Sequence, residues 1–199
     1  MNVEQIYKDA SALLEGHFKL SSGNYSKYYL QSAKVLEDPK TAKLLAEALA
    51  EQIKASGIKV DAVCSPALGG LVAGFALATA LDVRFIFAER VDGEITIRRG
   101  FEVQEGENYI ICEDIITTGG SALEAAKQVE NAGGNITAYA ALANRGFCSR
   151  VGSDLQRAEN CKLPLDKPLF ALDDFTFKMY TPDECDFKDI AYKPGSRGN

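Results

Sequence analysis

Tyr109-Ile110-Ile111-Cys112-Glu113-Asp114-Ile115-Ile116-Thr117-Thr118-Gly119-Gly120-Ser121 is the stretch on which the fold turns. An apolar run of strand character reaches two adjacent carboxylates and then a turn rich in hydroxyls and glycine. The turn leads straight into Ala122-Leu123-Glu124-Ala125-Ala126-Lys127, a good helix-forming segment. The N–H groups of a helix start have no partner within the helix, so they would point at whatever sits in the turn, and an anion such as phosphate suits them. Glu113 and Asp114 cannot share that phosphate without repulsion, but as acceptor-only groups they suit two neighbouring hydroxyls of a ribose. The segment therefore fits a phosphorylated sugar.

Outward from here, residues 60–142 alternate short strand-like runs with helices. Strands are expected over 60–64, 83–88, 109–112 and 136–142, and helices over 70–81 and 121–132. Runs buried on both faces and joined by helical crossovers imply an α/β domain, a parallel sheet flanked by helices. Ligands of such sheets bind beyond the carboxyl ends of the strands, where the loops at 65–70 and 114–121 both fall. Between the second and third strands, an Asp92-Gly93 turn flanked by Phe85, Phe87, Ile95 and Ile97 predicts a hairpin. The excursion at 89–107 is expected to project as a mobile flap, its Arg90, Arg98 and Arg99 brought to an anionic ligand, the alternative being a solvated surface hairpin.

Toward the N-terminus, Val3, Ile6, Tyr7, Ala10, Leu13 and Leu14 recur at helical spacing and predict a first helix that stops near Gly16. Ser21-Ser22-Gly23 reads as a turn, and Tyr25, Tyr28, Tyr29 and Leu30 as a short strand or extended segment. Asp38-Pro39 supplies an N-cap with proline at the first helical position, followed by an apolar stripe of Ala42, Leu45, Leu49 and Ile53. Beyond Arg145 the periodicity fades, with late strands at 169–172 and 175–177 as candidates and a flexible tail at 193–199.

The 199 residues suffice for one sizeable core, so a single domain with appendages is expected. With 22 Lys and Arg against 28 Asp and Glu, the formal charge of −6 and the lack of a long basic run argue against nucleic-acid or membrane-surface binding. The longest apolar stretches are about half of what spans a bilayer, and the N-terminus lacks a basic-then-apolar leader, which points to the cytoplasm. Five cysteines cannot all pair, and no two form a C-x-x-C, so reduced thiols are expected. There is no Walker motif, no G-x-G-x-x-G after a strand, and only one histidine, His17, around which a nucleophilic centre would have to be built.

Two acids, Ile-Ile, paired threonines, two glycines and a serine in this order resemble the phosphoribosyl-pyrophosphate signature of the type I phosphoribosyltransferases. Further segments resemble the orotate phosphoribosyltransferase branch: Gly16-His17-Phe18-Lys19-Leu20-Ser21-Ser22-Gly23 with Ser26-Lys27-Tyr28-Tyr29, Ser65-Pro66-Ala67-Leu68-Gly69-Gly70, Phe87-Ala88-Glu89-Arg90, Ile97-Arg98-Arg99-Gly100 and Ala143-Asn144-Arg145. The resemblance covers about 16–145. It implies a core at about 38–145, a small hood built from N-terminal and C-terminal segments at about 16–35 and 160–190, and the flap at about 89–107. It also implies transfer of ribose 5-phosphate from phosphoribosyl pyrophosphate to orotate, giving orotidine 5′-monophosphate and pyrophosphate in pyrimidine synthesis.

Under that resemblance, Glu113, Asp114 and Arg90 are the catalytic candidates. The donor would be bound by Glu113, Asp114, Ile115, Ile116, Thr117, Thr118, Gly119, Gly120 and Ser121, by Ala67, Leu68, Gly69 and Gly70, and by Arg90, Arg98 and Arg99. Orotate would be held by Ser22, Gly23, Tyr29, Thr117 and Arg145, the arginine pairing with its carboxylate. Magnesium is implied through substrate oxygens and water, with no protein metal ligand, and a homodimer is implied by the family. This sequence departs from many relatives in lacking flap lysines and a flap histidine, and in having Gly69 and Ser21 where they place lysines. The rival readings are a phosphoribosyltransferase for a purine or uracil, and a non-catalytic nucleotide-sensing regulator of the same fold.

Overall fold

The computed structural model describes residues 1–20 and 24–187. In chain order it forms α1 (Val3–Asp9), β1 (Leu13–Lys19), β2 (Tyr25–Leu30), α2 (Ser32–Leu36), α3 (Pro39–Ala55), β3 (Ala62–Pro66) and α4 (Gly70–Leu81). There follow β4 (Arg84–Val91), β5 (Glu94–Ile97), β6 (Asn108–Ile116), α5 (Gly120–Asn131), β7 (Asn135–Asn144), β8 (Leu169–Asp174) and β9 (Met179–Tyr180). Two compact units result: residues 39–174, and a smaller one made of 1–38 with the described residues from Phe175 onward.

The larger unit is built on a six-stranded sheet of order β5-β4-β3-β6-β7-β8. All neighbours pair in parallel except β4 and β5, which form an antiparallel hairpin. Strands covered on both faces lose the alternation of a half-solvated strand. Accordingly Ala62–Pro66, Tyr109–Cys112 and Ala138–Asn144 are buried without a break. Helix α3 buries Ala42, Leu45, Ala46, Leu49, Ala50 and Ile53 along one stripe. Leu45, Leu49 and Ile53 are fully enclosed, each contributing about 1.5–3 kcal/mol relative to exposure. Helix α5 sets Ala122, Ala125, Ala126 and Val129 against the sheet in a cluster with Cys64, Ile86, Tyr109 and Ile111.

The hairpin begins where β3 ends. The β3–β4 register stops at Pro66↔Ala88, and β4–β5 pairing runs from Ala88↔Ile97 to Val91↔Glu94. Its turn places Asp92 at φ 50 and Gly93 at φ 92, the left-handed pair that a tight hairpin turn requires. The hairpin is anchored close to its turn: Ile95, paired with Arg90, is buried in the same cluster as Ala122 and Ala125, because the strand's inward face meets α5. Arg98, Arg99 and Gly100, just beyond, are exposed.

Several expectations need correcting. The first helix ends at Asp9, not near Gly16. Ser11 takes a left-handed φ of 53, and Leu13 and Leu14 continue as a strand opposite Leu30 and Tyr29. Their helical spacing relative to Val3 and Tyr7 is coincidental, since pairing with β2 outcompetes a further helical turn. In the smaller unit β1, β2 and β9 make a three-stranded sheet, while the buried Tyr7 hydroxyl meets Ser32 Oγ at 2.7 Å and its ring lies 5.1 Å from that of Phe175. The strand considered at 175–177 forms at Met179–Tyr180 instead, and residues 160–174 fall within the larger unit. The expectation of reduced cysteines fails at one pair: Cys148 and Cys161 are joined by a disulfide, while Cys64, Cys112 and Cys185 are free and buried. The bridged pair lies 13 positions apart in the chain, a spacing that carries no sequence signal. The turn at Ser21-Ser22-Gly23 and the tail lie outside the described residues. Among the described residues no helix is long and apolar enough to cross a membrane.

Candidate active site

β6 runs four residues past the expected end at Cys112, because its ladder with β7 continues to Ile116↔Asn144. Glu113 and Asp114 are thus fixed on a paired strand rather than on a loop. The strand gives way to Thr117-Thr118-Gly119, and α5 starts at Gly120. Gly119 has φ 80, and a Cβ there would lie 2.4 Å from Leu163 Cδ2, so both backbone and space demand glycine. Glu113, Ile115, Ile116, Thr117, Thr118, Gly119, Gly120 and Ser121 line a cavity of about 170 Å³. The start of α5 belongs to this wall, and the N–H groups of a helix start suit an anion.

The loop after β3 closes on the acidic pair. A Cβ on Gly69 would sit 2.8 Å from Asp114 Oδ1, and one on Gly70 would sit 2.8 Å from the Cys112 carbonyl oxygen and 3.3 Å from Glu113 Oε2. Bare backbone is what lets Ala67-Leu68-Gly69-Gly70 lie beside the two carboxylates. The Ala67–Leu68 peptide bond is cis. Arg145 enters at the same sheet edge: it directly follows β7, is half-buried, and its backbone N–H donates to the Ile116 carbonyl at 2.8 Å. Behind it, buried Asn144 donates through Nδ2 to the Cys148 carbonyl and to Asp174 Oδ1, both at 2.7 Å, tying down the chain after the strand.

The three flap arginines are differently engaged. Arg90 pairs with Glu124 of α5 at 2.8 Å and donates to the Gly93 carbonyl. Arg99 forms a fork on Glu89, at 3.0 and 2.9 Å, and this contact holds the Glu89 carboxyl below its usual range. Arg98 makes no ion pair among the described residues. Of the acceptor-side candidates, Tyr29 lies in β2 with its ring stacked on Phe18, centroids 5.6 Å apart, whereas Ser22 and Gly23 are outside the described residues. Burial pushes the Cys112 thiol well above its ordinary value, and the nearby charges of Glu113 and Asp114 push it further. Burial alone raises Cys64 to about 12. Neither cysteine is a thiolate nucleophile at neutral pH.

One segment at this edge left no mark in the sequence pattern. The Lys162 N–H donates to the Thr118 carbonyl at 2.7 Å, Leu163 fills the space beside Gly119, and Cys148 Sγ lies 3.7 Å from the Thr117 carbonyl oxygen. The turn after β6 is thus backed by residues more than 25 positions along the chain, which periodicity and spacing cannot report. Among the described residues no cluster of three or more His, Cys, Asp or Glu is arranged to hold a metal ion. The arrangement can receive an anion at the start of α5 and hydroxyl groups at the acidic pair, with a second glycine-lined loop alongside.

Residues 32–154 match the family model described as the phosphoribosyl transferase domain. The whole chain is 69% identical to the orotate phosphoribosyltransferase of Sulfurimonas denitrificans, covering 100% of that protein. It is 63% identical to the enzyme of the same name from Wolinella succinogenes, of which it covers 98%. The crystal structure of orotate phosphoribosyltransferase from Aeropyrum pernix matches with a TM-score of 0.68 over 87% of this chain and 93% of that one, at 22% identity, a likeness of fold. With the acidic pair, the hydroxyl turn and the glycine loop gathered at one sheet edge, and with identity this high from end to end, the chain belongs to the orotate phosphoribosyltransferase family.

Proposed function

We propose that the chain transfers ribose 5-phosphate from phosphoribosyl pyrophosphate to a ring nitrogen of orotate, giving orotidine 5′-monophosphate and pyrophosphate. The observation that carries this reading is the cavity at 113–121, with the acidic pair set against the Gly69–Gly70 backbone. A nitrogen–carbon bond forms at the anomeric carbon while the carbon–oxygen bond to pyrophosphate breaks, and its electron pair leaves with pyrophosphate. Positive charge builds on the ribose and negative charge on the leaving group, so the protein must stabilise both ends and keep the pentose in line. Thr117, Thr118 and Ser121, with the N–H groups from Gly119 on, hold the 5′-phosphate through charge-assisted bonds of about 1.5–3 kcal/mol each. Glu113 and Asp114 accept the 2′ and 3′ hydroxyls, and their charge lies close to the developing oxocarbenium. No covalent intermediate is required.

The loop Ala67-Leu68-Gly69-Gly70 offers backbone amides to the pyrophosphate, with cations from the flap completing the neutralisation. Arg98 would serve without breaking an ion pair among the described residues; Arg90 and Arg99 would first exchange Glu124 and Glu89 for the ligand. Arg145 pairs its fork with the orotate carboxylate. Mg2+ would be held mainly by substrate oxygens and water, beside the acidic pair Glu113 and Asp114 that grips the ribose. When bound, the ion offsets the charge of the departing pyrophosphate.

We further infer a homodimer and a cytoplasmic setting. Leu68, Val72 and Phe75, at 73, 49 and 62% exposure, form one apolar face at helical spacing along and just before α4, of a kind that a second copy covers. Three of the five cysteines are free and buried, which suits a reducing compartment, where the Cys148–Cys161 bridge would have to withstand cytosolic thiols. The test of the activity is ultraviolet monitoring of orotate loss with phosphoribosyl pyrophosphate and Mg2+, run beside uracil, hypoxanthine and adenine. Orotate alone should be consumed; consumption of a neutral base in its place would overturn the assignment of Arg145 and of the acceptor.

A further inference from the structure

We propose that Lys162 binds the 5′-phosphate of the donor and of the nucleotide product, an inference that rests on that phosphate occupying the turn after β6. Its backbone is held from both sides. The Lys162 N–H donates to the Thr118 carbonyl at 2.7 Å, Cys161 is bridged to Cys148, and Leu163 is buried against Gly119. The Arg157 guanidinium donates to the carbonyls of both Cys161, at 2.9 Å, and Leu163. An exposed lysine on so constrained a stretch of backbone has its reach decided by the fold.

That reach is toward the cavity wall. Lys162 Nζ lies 3.6 Å, and its Cδ 3.7 Å, from the point a Cβ on Gly120 would occupy, and Thr118 Oγ1 lies 4.0 Å from the same point. Gly120 and Thr118 both line the cavity. Lys8, Lys34, Lys43, Lys59 and Lys167 each sit within 4.0 Å of a carboxylate, whereas Lys162 makes no ion pair among the described residues. A cation beside the first residue of α5 is also placed against the helix dipole, whose start repels positive charge. An anion received between them reverses the sign: helix start and ammonium then act on one phosphate together. A lysine serves here as a mobile point charge, which suits a terminal phosphate approached from the side.

The test measures binding of ribose 5-phosphate, of pyrophosphate and of orotate by calorimetry, and steady-state kinetics, for the full-length protein, K162M, K162R and a T118V/S121A variant. Expected for K162M is ribose 5-phosphate binding and donor KM worse by roughly tenfold, from loss of one charge-assisted contact, with kcat nearly unchanged and pyrophosphate affinity intact. K162R should recover most of the loss, and the donor KM of K162M should respond less steeply to added salt. If T118V/S121A weakens ribose 5-phosphate and K162M does not, the placement of the phosphate stands and the role of Lys162 falls. If neither variant weakens it, the placement itself falls and the inference with it. If K162M weakens pyrophosphate and orotate as much as ribose 5-phosphate, the lysine is merely structural and the proposal is overturned.

Discussion

The two ends of β6 both carry acids, and they use them in opposite ways. At the amino end Glu107 accepts from the Tyr109 hydroxyl at 2.6 Å and from Arg84, which also donates to the Glu102 carbonyl at 3.0 Å. Beside it Asp61 accepts from the Asn108 backbone N–H at 2.9 Å and from its Nδ2 at 2.7 Å. At the carboxyl end Glu113 and Asp114 are consecutive, packed against bare glycine backbone, and next to a cavity lined by hydroxyls and the start of a helix. The amino end places each acid against donors of its own chain. The carboxyl end concentrates like charge where a ligand's hydroxyls would arrive. Changes at the first end should therefore move stability, and changes at the second should move catalysis.

The sharpest way to break that contrast is Asp114→Asn. The shape is kept and the charge lost, so turnover should fall by roughly a hundredfold or more, since the interaction is strongest when the ribose is positive. The melting temperature should stay within a few degrees. Turnover close to that of the unaltered chain would remove Asp114 from the mechanism, and a large drop in melting temperature would make it a structural acid like those at the other end.

Gly69→Ala sharpens the comparison without touching charge. Gly69 has φ −53 and ψ −47, so alanine can adopt its backbone; what it cannot do is fit, with a Cβ 2.8 Å from Asp114 Oδ1. The carboxylate must shift by several tenths of an ångström. Such a displacement of a positioning group should cost roughly tenfold in turnover and about 1 kcal/mol of stability. Full activity would mean that the loop yields instead of the acid.

Much of this division was legible in the residues, and the parts that were not share one cause. The helix at Gly70–Leu81 is the segment that local pattern predicts, and residues 113–121 supply the whole lining of the cavity, Asp114 excepted. Strand, turn and helix there follow one another in sequence, so neighbouring residues make neighbouring walls. Leu13 and Leu14 misled because helical spacing ignores the partner strand that claims them. The Cys148–Cys161 bridge, the Arg90–Glu124 pair, the anchoring of the hairpin by Ile95 and the placing of Lys162 against Thr118 join residues far apart in the chain, and no local pattern encodes them.

The smallest expected effect lies at the amino end, with Glu107→Gln. Burial opposes the Glu107 charge, yet the bonds from Tyr109 and Arg84 prevail and hold its carboxyl below its usual value of 4.5. The Tyr109 phenol is pushed to about 12, by burial first and by Glu107 second. A carboxyl depressed in the folded state binds fewer protons there than in the unfolded chain, so its stabilisation is fully present above the unfolded value. It is lost as pH falls through the folded one. The network is partly open to solvent, with Arg84 and Glu107 side chains 36 and 24% exposed, so the loss on substitution should be about 1 kcal/mol at neutral pH. In a chain of this size that lowers the melting temperature by roughly 2–4 °C. The difference between the two proteins should begin to shrink as pH is taken below 4.5, where the unfolded chain takes up the proton, and should be lost once pH passes below the lower folded value and the native carboxyl is protonated too. kcat should not change. A gap in melting temperature that persists undiminished at low pH would show that Glu107 acts through packing rather than charge, and a fall in kcat would show that the two ends of the strand are not independent.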